Sequence, residues 1–211
     1  MVGDMPDSLD IGESAQKLID RLGIRSNLLH TLNDEDDWSF IIKTHALVEA
    51  ALTRFVVAGI RVPALEKTLS RMTIRGLTSK LGFAQALGAS AQVVQFIDEL
   101  TLLRNSIVHD VRNIDFLFAD WIQSAKSDGT LDGKLRKLLG PLYDAPTSGG
   151  PMQDVFDTTP KTLLLFVAMF AIAQFEFCVA NPTFDKMPEY HASFRADEAS
   201  PSPSQKPDGD S

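Results

Sequence analysis

Apolar residues recur at helical spacing along almost the whole chain, and this periodicity is the feature that most restricts its fold. In the segment 90–109, a predicted helix gathers large apolar side chains within an arc of roughly 80°. These side chains, with one residue beyond the segment, are Val93, Phe96, Leu100, Leu103, Ile107 and Val111. A second stripe runs through 36–60 and includes His45, which we expect to be a satisfied core histidine. Because no segment alternates apolar and polar residues as a strand does, the sequence predicts an all-α helical bundle.

Capping and helix-breaking residues divide this bundle into separate helices. The predicted helices span 36–60, 63–70, 77–87, 90–109, 114–125, 135–139 and 160–180. Asp132 and Gly133 are predicted to form a turn before the short helix 135–139. Residues 34–184 therefore form one α-helical domain, with a partly ordered N-terminal arm at 1–33.

The ends of the chain carry its acidity. The net charge is −8, yet residues 41–184 hold thirteen acids and fourteen bases. Residues 1–40 hold nine acids and three bases, and residues 185–211 hold six acids and three bases. Residues 185–211 are also rich in Ser and Pro, a composition that favours a disordered tail. The nearly neutral central part is therefore compatible with a nucleic-acid partner.

Three features bear on the compartment. The single cysteine, Cys178, cannot form an internal disulfide, which fits a reducing environment. The N-terminus lacks the basic and apolar segments of a signal peptide. The apolar run Leu163–Ala173 has eleven residues, whereas a membrane span needs about 20. We therefore expect a cytoplasmic protein with no membrane partner, and a buried or dimer-interface helix around this run.

Basic residues are concentrated in one twenty-residue segment. Arg61, Lys67, Arg71, Arg75 and Lys80 are accompanied there by a single acid, Glu66. Such a run is either a solvated face or a surface that follows a phosphate backbone. Under the second interpretation, Arg71, Arg75 and Lys80 are candidate phosphate or RNA contacts.

Arg104, Asn105 and His109 cluster at the end of the predicted helix 90–109. They supply a fixed positive charge, an amide donor and a group that titrates near neutrality. No residue spacing in the chain suits a metal site, so we expect no metal and no other cofactor. A His that moves a proton and an Arg that stabilises phosphate charge suit metal-free RNA cleavage, in which the RNA 2′-hydroxyl is the nucleophile. Alternatively, the cluster satisfies carbonyls and the dipole at a helix C-terminus.

The helical spacing also makes a prediction about assembly. Arg104 and His109 are five residues apart, which separates them by about 140° on an ideal helix. One copy would therefore need a distorted helix end to bring both groups to one atom. Two copies that face each other across a two-fold axis would achieve this more easily, so we expect a homodimer.

Three short segments resemble the HEPN superfamily of small α-helical domains. Residues 103–109, LRNSIVH, resemble its Arg-Asn-x-x-x-His signature. Residues 78–88, TSKLGFAQALG, are similar to the helix that precedes this signature in the mannitol-operon-repressor-like branch. Residues 45–52, HALVEAAL, resemble the opening helix of that branch, in which a Glu often lies beside small and apolar residues. The three segments follow in family order within about residues 36–120.

The resemblance implies a dimeric helical bundle in which the motifs of two subunits lie close together. Carried over by position, it makes Arg104 and His109 a catalytic pair, Asn105 a polar helper and Glu49 a residue that supports this pair without touching the substrate. It implies a metal-independent endoribonuclease that acts as a toxin or defence effector, with RNA as substrate and possible control by an antitoxin or regulatory protein. The alternative is a non-catalytic regulator or protein-interaction module of the mannitol-repressor type, in which the same residues brace a helix end or a dimer seam.

Overall fold

The computed structural model describes residue 20 and residues 28–76, 78–109, 114–140 and 156–180. Most of the predicted N-terminal arm and the whole predicted tail lie outside the described residues. Within them, the chain forms helices and no strands, which confirms the all-α prediction. The α-helices are α1 (Leu28–Leu32), α2 (Asp37–Ile60), α3 (Glu66–Ser70), α4 (Lys80–Ala86), α5 (Ala91–Val108), α6 (Phe118–Ser127), α7 (Leu131–Leu139) and α8 (Pro160–Ala180), and a 3-10 turn (Pro63–Leu65) precedes α3.

Side-chain caps fix the starts of the helices that carry the candidate site. The Asp36 carboxylate accepts a hydrogen bond from the Ser39 amide at 2.8 Å, so α2 begins within a residue of its predicted start. The Ser90 hydroxyl accepts one from the Val93 amide at 3.3 Å and starts α5. Each cap satisfies an amide that has no partner within its own helix. The observed ranges of α2, α5 and α8 agree with the predicted bounds to within one residue.

Three other bounds differ from the prediction. Helix α4 starts at Lys80 rather than at residue 77, because the Ser79 hydroxyl caps it. Helix α6 starts at Phe118 rather than at residue 114, because Leu117 is extended and the Phe118 amide donates to the Asp37 carboxylate. The predicted turn at Asp132 and Gly133 is wrong, since both residues lie within α7.

Helix α2 is the central element of the bundle. Helix α8 packs along one side of it, α5 packs on another side, and α7 packs against both α5 and α8. Phe55 of α2 and Phe175 of α8 stack with ring centroids 4.8 Å apart, and both side chains are buried. In a second aromatic cluster, the ring of Phe118 makes edge-to-face contacts with the rings of Phe40 and Phe156. Full burial of each such ring stabilises the fold by about 1.5–3 kcal/mol.

Helix α8 extends well beyond its eleven-residue apolar run. It has 21 residues and a window of mean hydropathy 2.2, so length and composition alone would allow it to cross a membrane. The apolar run alone has eleven residues, whereas the helix that contains it is long enough for a span. The core helix of a soluble protein passes the same test. Here Glu176 is buried and accepts a hydrogen bond from Arg54 of α2 at 2.8 Å, while Phe166 and Phe177 remain exposed.

Candidate functional site

The core stripe of α5 determines where the Arg-Asn-x-x-x-His cluster faces. Val93, Phe96, Leu100, Leu103 and Ile107 are all at most 5% exposed, as their spacing predicts. Thr101 is also buried, against His45 of α2, so the side of α5 that carries Arg104 is partly covered. The cluster lies at the C-terminal end of the helix, where Arg104 and Asn105 are half-buried and His109 is exposed.

Arg104 and Asn105 form a pair on this surface. The Arg104 guanidinium donates a hydrogen bond from Nη1 to the Asn105 Oδ1 at 3.0 Å, and both side chains are half-buried. Because the Asn105 oxygen is used in this bond, the two amide N–H groups of Asn105 are turned away from Arg104 and can donate elsewhere. The guanidinium keeps further N–H groups for a ligand, because it has five donors in all.

His109 ends α5 and is exposed. Its backbone amide donates to the Asn105 carbonyl at 3.2 Å, which closes the last turn. The His109 imidazole makes no hydrogen bond or ion pair with any other residue in the described part of the chain. A bracing role would bury Arg104 and His109 against backbone carbonyls or carboxylates, and the described residues contain no such contact; the hydrogen-bond partner of Arg104 is the side chain of Asn105.

A buried polar network lies behind the cluster, between α2 and α5. His45 is 7% exposed, and its Nε2 lies 3.2 Å from the Thr101 Oγ1. The Thr101 hydroxyl donates its proton to the Ile97 carbonyl at 2.7 Å, so the imidazole Nε2 must act as the donor to Thr101. Burial lowers the pKa of His45; the Glu49 carboxylate opposes this effect, and the positive charge of Arg104 adds to it. His45 is thus a buried core histidine that is hydrogen-bonded through Nε2.

Glu49 and Lys80 form an ion pair next to this network. The Lys80 Nζ lies 2.6 Å from the Glu49 Oε1 and donates to the Ser70 carbonyl at 3.2 Å. Lys80 is only 1% exposed, so its prediction as a phosphate contact is wrong in this conformation. Glu49 contacts Lys80 and acts electrostatically on His45, and it makes no hydrogen bond or ion pair with Arg104, Asn105 or His109 in the described structure.

The other two predicted basic contacts remain on the surface. Arg71 is exposed at the end of α3. Arg75 is also exposed, but its guanidinium pairs with the Asp98 carboxylate of α5. The basic segment therefore presents less free positive charge than its sequence indicates.

A pocket opens beside the motif, on the side toward α6. It has a volume of about 330 Å³ and lies between α5, the segment 115–117 and α6. Its lining residues are Ser106, Ile107, Asp115, Phe116, Leu117, Asp120, Trp121 and Ser124. Sequence analysis missed this pocket, because it depends on how α6 packs back against the end of α5.

Exposed apolar side chains surround the same end of α5. Leu102 precedes Arg104 on the helix, Val108 lies between Asn105 and His109, and they are 38% and 37% exposed. Ile114 and Leu117 follow it and are 62% and 52% exposed. Large apolar side chains grouped on a surface often mark a protein interface.

The described residues contain no group of three His, Cys, Asp or Glu side chains placed to hold a metal ion. Comparison with known proteins finds no match to a family model, a curated protein or a solved structure.

Proposed function

We propose that this protein is a metal-independent endoribonuclease of the HEPN type that acts as a homodimer. The observation that carries the proposal is the state of the cluster at the end of α5. His109 is exposed, Arg104 is half-buried and donates to the side chain of its neighbour Asn105, and neither side chain contacts a backbone carbonyl or a carboxylate among the described residues. Polar groups at a helix end that serve only the fold are normally engaged in such contacts.

The proposed reaction uses the RNA's own 2′-hydroxyl as nucleophile. His109 removes the proton of this hydroxyl, and the oxygen attacks the adjacent phosphorus. The bond from phosphorus to the 5′-oxygen breaks, and a protonated imidazole returns a proton to this leaving oxygen. The products are a 2′,3′-cyclic phosphate and a 5′-hydroxyl. The two proton transfers need two histidines or one that is recycled, and a dimer supplies two copies of His109.

Arg104 and Asn105 stabilise the charge that builds up on the phosphate during this attack. The guanidinium is permanently charged and matches the geometry of phosphate oxygens. The free amide N–H groups of Asn105 add neutral donors next to it. The Arg104 and Asn105 side chains are already hydrogen-bonded to each other before RNA binds. This lowers the entropy cost of positioning both of them against the phosphate.

The exposed apolar side chains around the cluster support the homodimer. Leu102 and Val108 both lie in the last turns of α5, next to the cluster, so a second copy that buries them would bring its own cluster close. A two-fold interface of this kind places the same patch on both subunits. It also resolves the separation of Arg104 and His109 around the helix, because each site can take one group from each subunit.

The test is cleavage of total RNA by purified protein. Wild type should cut RNA in the presence of EDTA and leave 2′,3′-cyclic phosphate ends. His109→Ala and Arg104→Ala should each lose about 10²- to 10⁴-fold of the activity, with unchanged helicity and dimerisation. Arg136→Ala is the matched control, because Arg136 is an exposed arginine of α7 outside the site and should tolerate the change.

Two results would contradict the proposal. Wild-type protein that leaves RNA intact, together with a His109→Ala variant that merely melts earlier, would favour the regulator or interaction module instead. Light scattering that finds a monomer at all accessible concentrations would remove the composite site.

A further inference from the structure

The pocket between α5 and α6 has an unusual combination of groups for its size. Its polar lining consists of two carboxylates, Asp115 and Asp120, and two hydroxyls, Ser106 and Ser124, with no cationic side chain. Both carboxylates belong to exposed residues. Neither makes a hydrogen bond or an ion pair with another residue of the described ranges. At about 330 Å³, the pocket is near the lower end of the range for small-molecule sites, which suits a single ring system.

The position of the pocket ties it to the motif. Ser106, at its rim, lies three residues before His109 on α5. Residues three apart on a helix have Cβ atoms about 5–6 Å from each other. A nucleotide whose 2′-hydroxyl reaches His109 would therefore have its base within reach of the pocket. Phe116 and Trp121 add half-buried aromatic rings to the wall.

The chemistry of the lining distinguishes between the four RNA bases. An ionised carboxylate only accepts hydrogen bonds. Guanine presents two adjacent donors, N1–H and the N2 amino group, which match the two oxygens of one carboxylate. Uracil flanks its single donor with two carbonyls, and the cytosine and adenine amino groups lie beside a ring nitrogen that would repel a carboxylate. The Ser124 hydroxyl can donate to the guanine O6, whereas the Ser106 hydroxyl donates to the Leu103 carbonyl at 2.7 Å. Stacking on aromatic rings tolerates every base, so selection falls to the carboxylates.

We propose that the pocket between α5 and α6 binds the base of a guanosine in single-stranded RNA, and that Asp115 and Asp120 select it. If the protein cleaves RNA as proposed, guanosine binding in this pocket determines the cleavage site and places the cut next to a guanosine. That part rests on the proposed function, whereas guanine binding itself does not.

Binding can be measured without cleavage, through the indole N–H resonance of Trp121. The chain has two tryptophans, and a Trp38→Phe variant assigns the two signals. Each of the four nucleosides is titrated into the full-length protein at equal concentration. Guanosine should shift the Trp121 resonance with saturation, and the other three should not. In the Asp115→Asn/Asp120→Asn variant, guanosine should bind about 5- to 150-fold more weakly, the range for one lost bidentate base contact. Asp128→Asn, at the exposed end of α6, is the matched control and should bind as wild type does.

The outcomes separate this proposal from the nuclease. Guanosine binding by a protein that cuts no RNA would leave the pocket assignment intact and remove the ribonuclease. RNA cleavage with no preference for guanosine, unchanged in the double variant, would keep the ribonuclease and overturn the pocket assignment. Equal shifts with all four nucleosides, or none, would also overturn it. Guanosine triphosphate that binds far more tightly than a guanosine-containing oligoribonucleotide would assign the pocket to a free nucleotide and overturn the RNA proposal.

Discussion

The ion pair between Glu49 and Lys80 can be tested one partner at a time, because its two ends differ in exposure. The Lys80 ammonium is buried, with Lys80 1% exposed, whereas Glu49 is 33% exposed. Water can solvate Glu49 when Lys80 is absent, but it cannot reach the ammonium when Glu49 is absent. Removal of Glu49 should therefore destabilise the fold much more than removal of Lys80.

The magnitudes follow from these exposures. Breaking a buried pair so that one charge is stranded costs about 3–5 kcal/mol. Because Glu49 is partly exposed, we expect Glu49→Ala to cost about 3 kcal/mol, the lower end of this range. Lys80→Met keeps the apolar stem and loses the hydrogen bond to the Ser70 carbonyl, which costs about 1 kcal/mol. The double variant strands no ammonium, so it should also lose only about 1 kcal/mol. The two single effects therefore couple by about 3 kcal/mol.

Urea unfolding followed by circular dichroism measures these differences. In a domain of this size, 1 kcal/mol lowers the Tm by roughly 2–4 °C, so Glu49→Ala should lower it by about 6–12 °C. Asp157→Ala is the control, because its ion pair with Lys126 lies on the surface and should contribute less than about 1 kcal/mol. Equal losses in the two single variants, or a double variant whose loss is their sum, would refute the argument from unequal burial.

Three further predictions concern the core. Because burial lowers the pKa of His45 below its unfolded value, its contribution to stability is present above about pH 6.5 and is lost as the pH falls toward its folded pKa. The difference in unfolding free energy between wild type and His45→Gln should therefore shrink between pH 7 and 5, and a pH-independent difference would contradict this. The Thr44 hydroxyl is buried without a hydrogen-bond partner in the described structure, so Thr44→Val should raise the unfolding free energy by about 1 kcal/mol; a loss in urea unfolding would show that the hydroxyl has a partner. Phe175→Ala should cost about 3–5 kcal/mol, whereas Phe166→Ala, at 46% exposure on the same helix, should cost far less, and similar losses in thermal unfolding would mean that α8 packs differently.

Helical periodicity predicted the long elements because each has a stripe wide enough to fix both its type and its buried face. The stripe of α5 is the clearest case, since every described member of it is buried. Short elements depend instead on what packs against them. In α7, Leu131, Leu135 and Leu138 are buried together, and this burial outweighs the turn preference of Asp132 and Gly133.

Charge could not be assigned to the surface from sequence alone. The run of basic residues from Arg61 to Lys80 indicated one exposed face, but its members differ in environment. Lys80 pairs with Glu49, thirty-one positions earlier in the chain, and Arg75 pairs with Asp98, twenty-three positions later. Both partners come from other helices, and no local pattern contains that information.

The candidate site has the same division between local and non-local information. The spacing of Arg104 and His109 is a property of one helix, and it already predicts that they diverge around the axis. What the spacing cannot predict is the pocket at Ser106, since this pocket needs α6 to return against α5. It also cannot predict a group that faces Arg104 or His109 from a second copy. Leu102 and Val108 are exposed and do not pack in the core. A second copy that covered them would remove their apolar surface from water. The proposed catalytic arrangement therefore depends on assembly more than on any single residue, and Leu102→Asp, which leaves Arg104 and His109 unchanged, should abolish dimerisation and cleavage together.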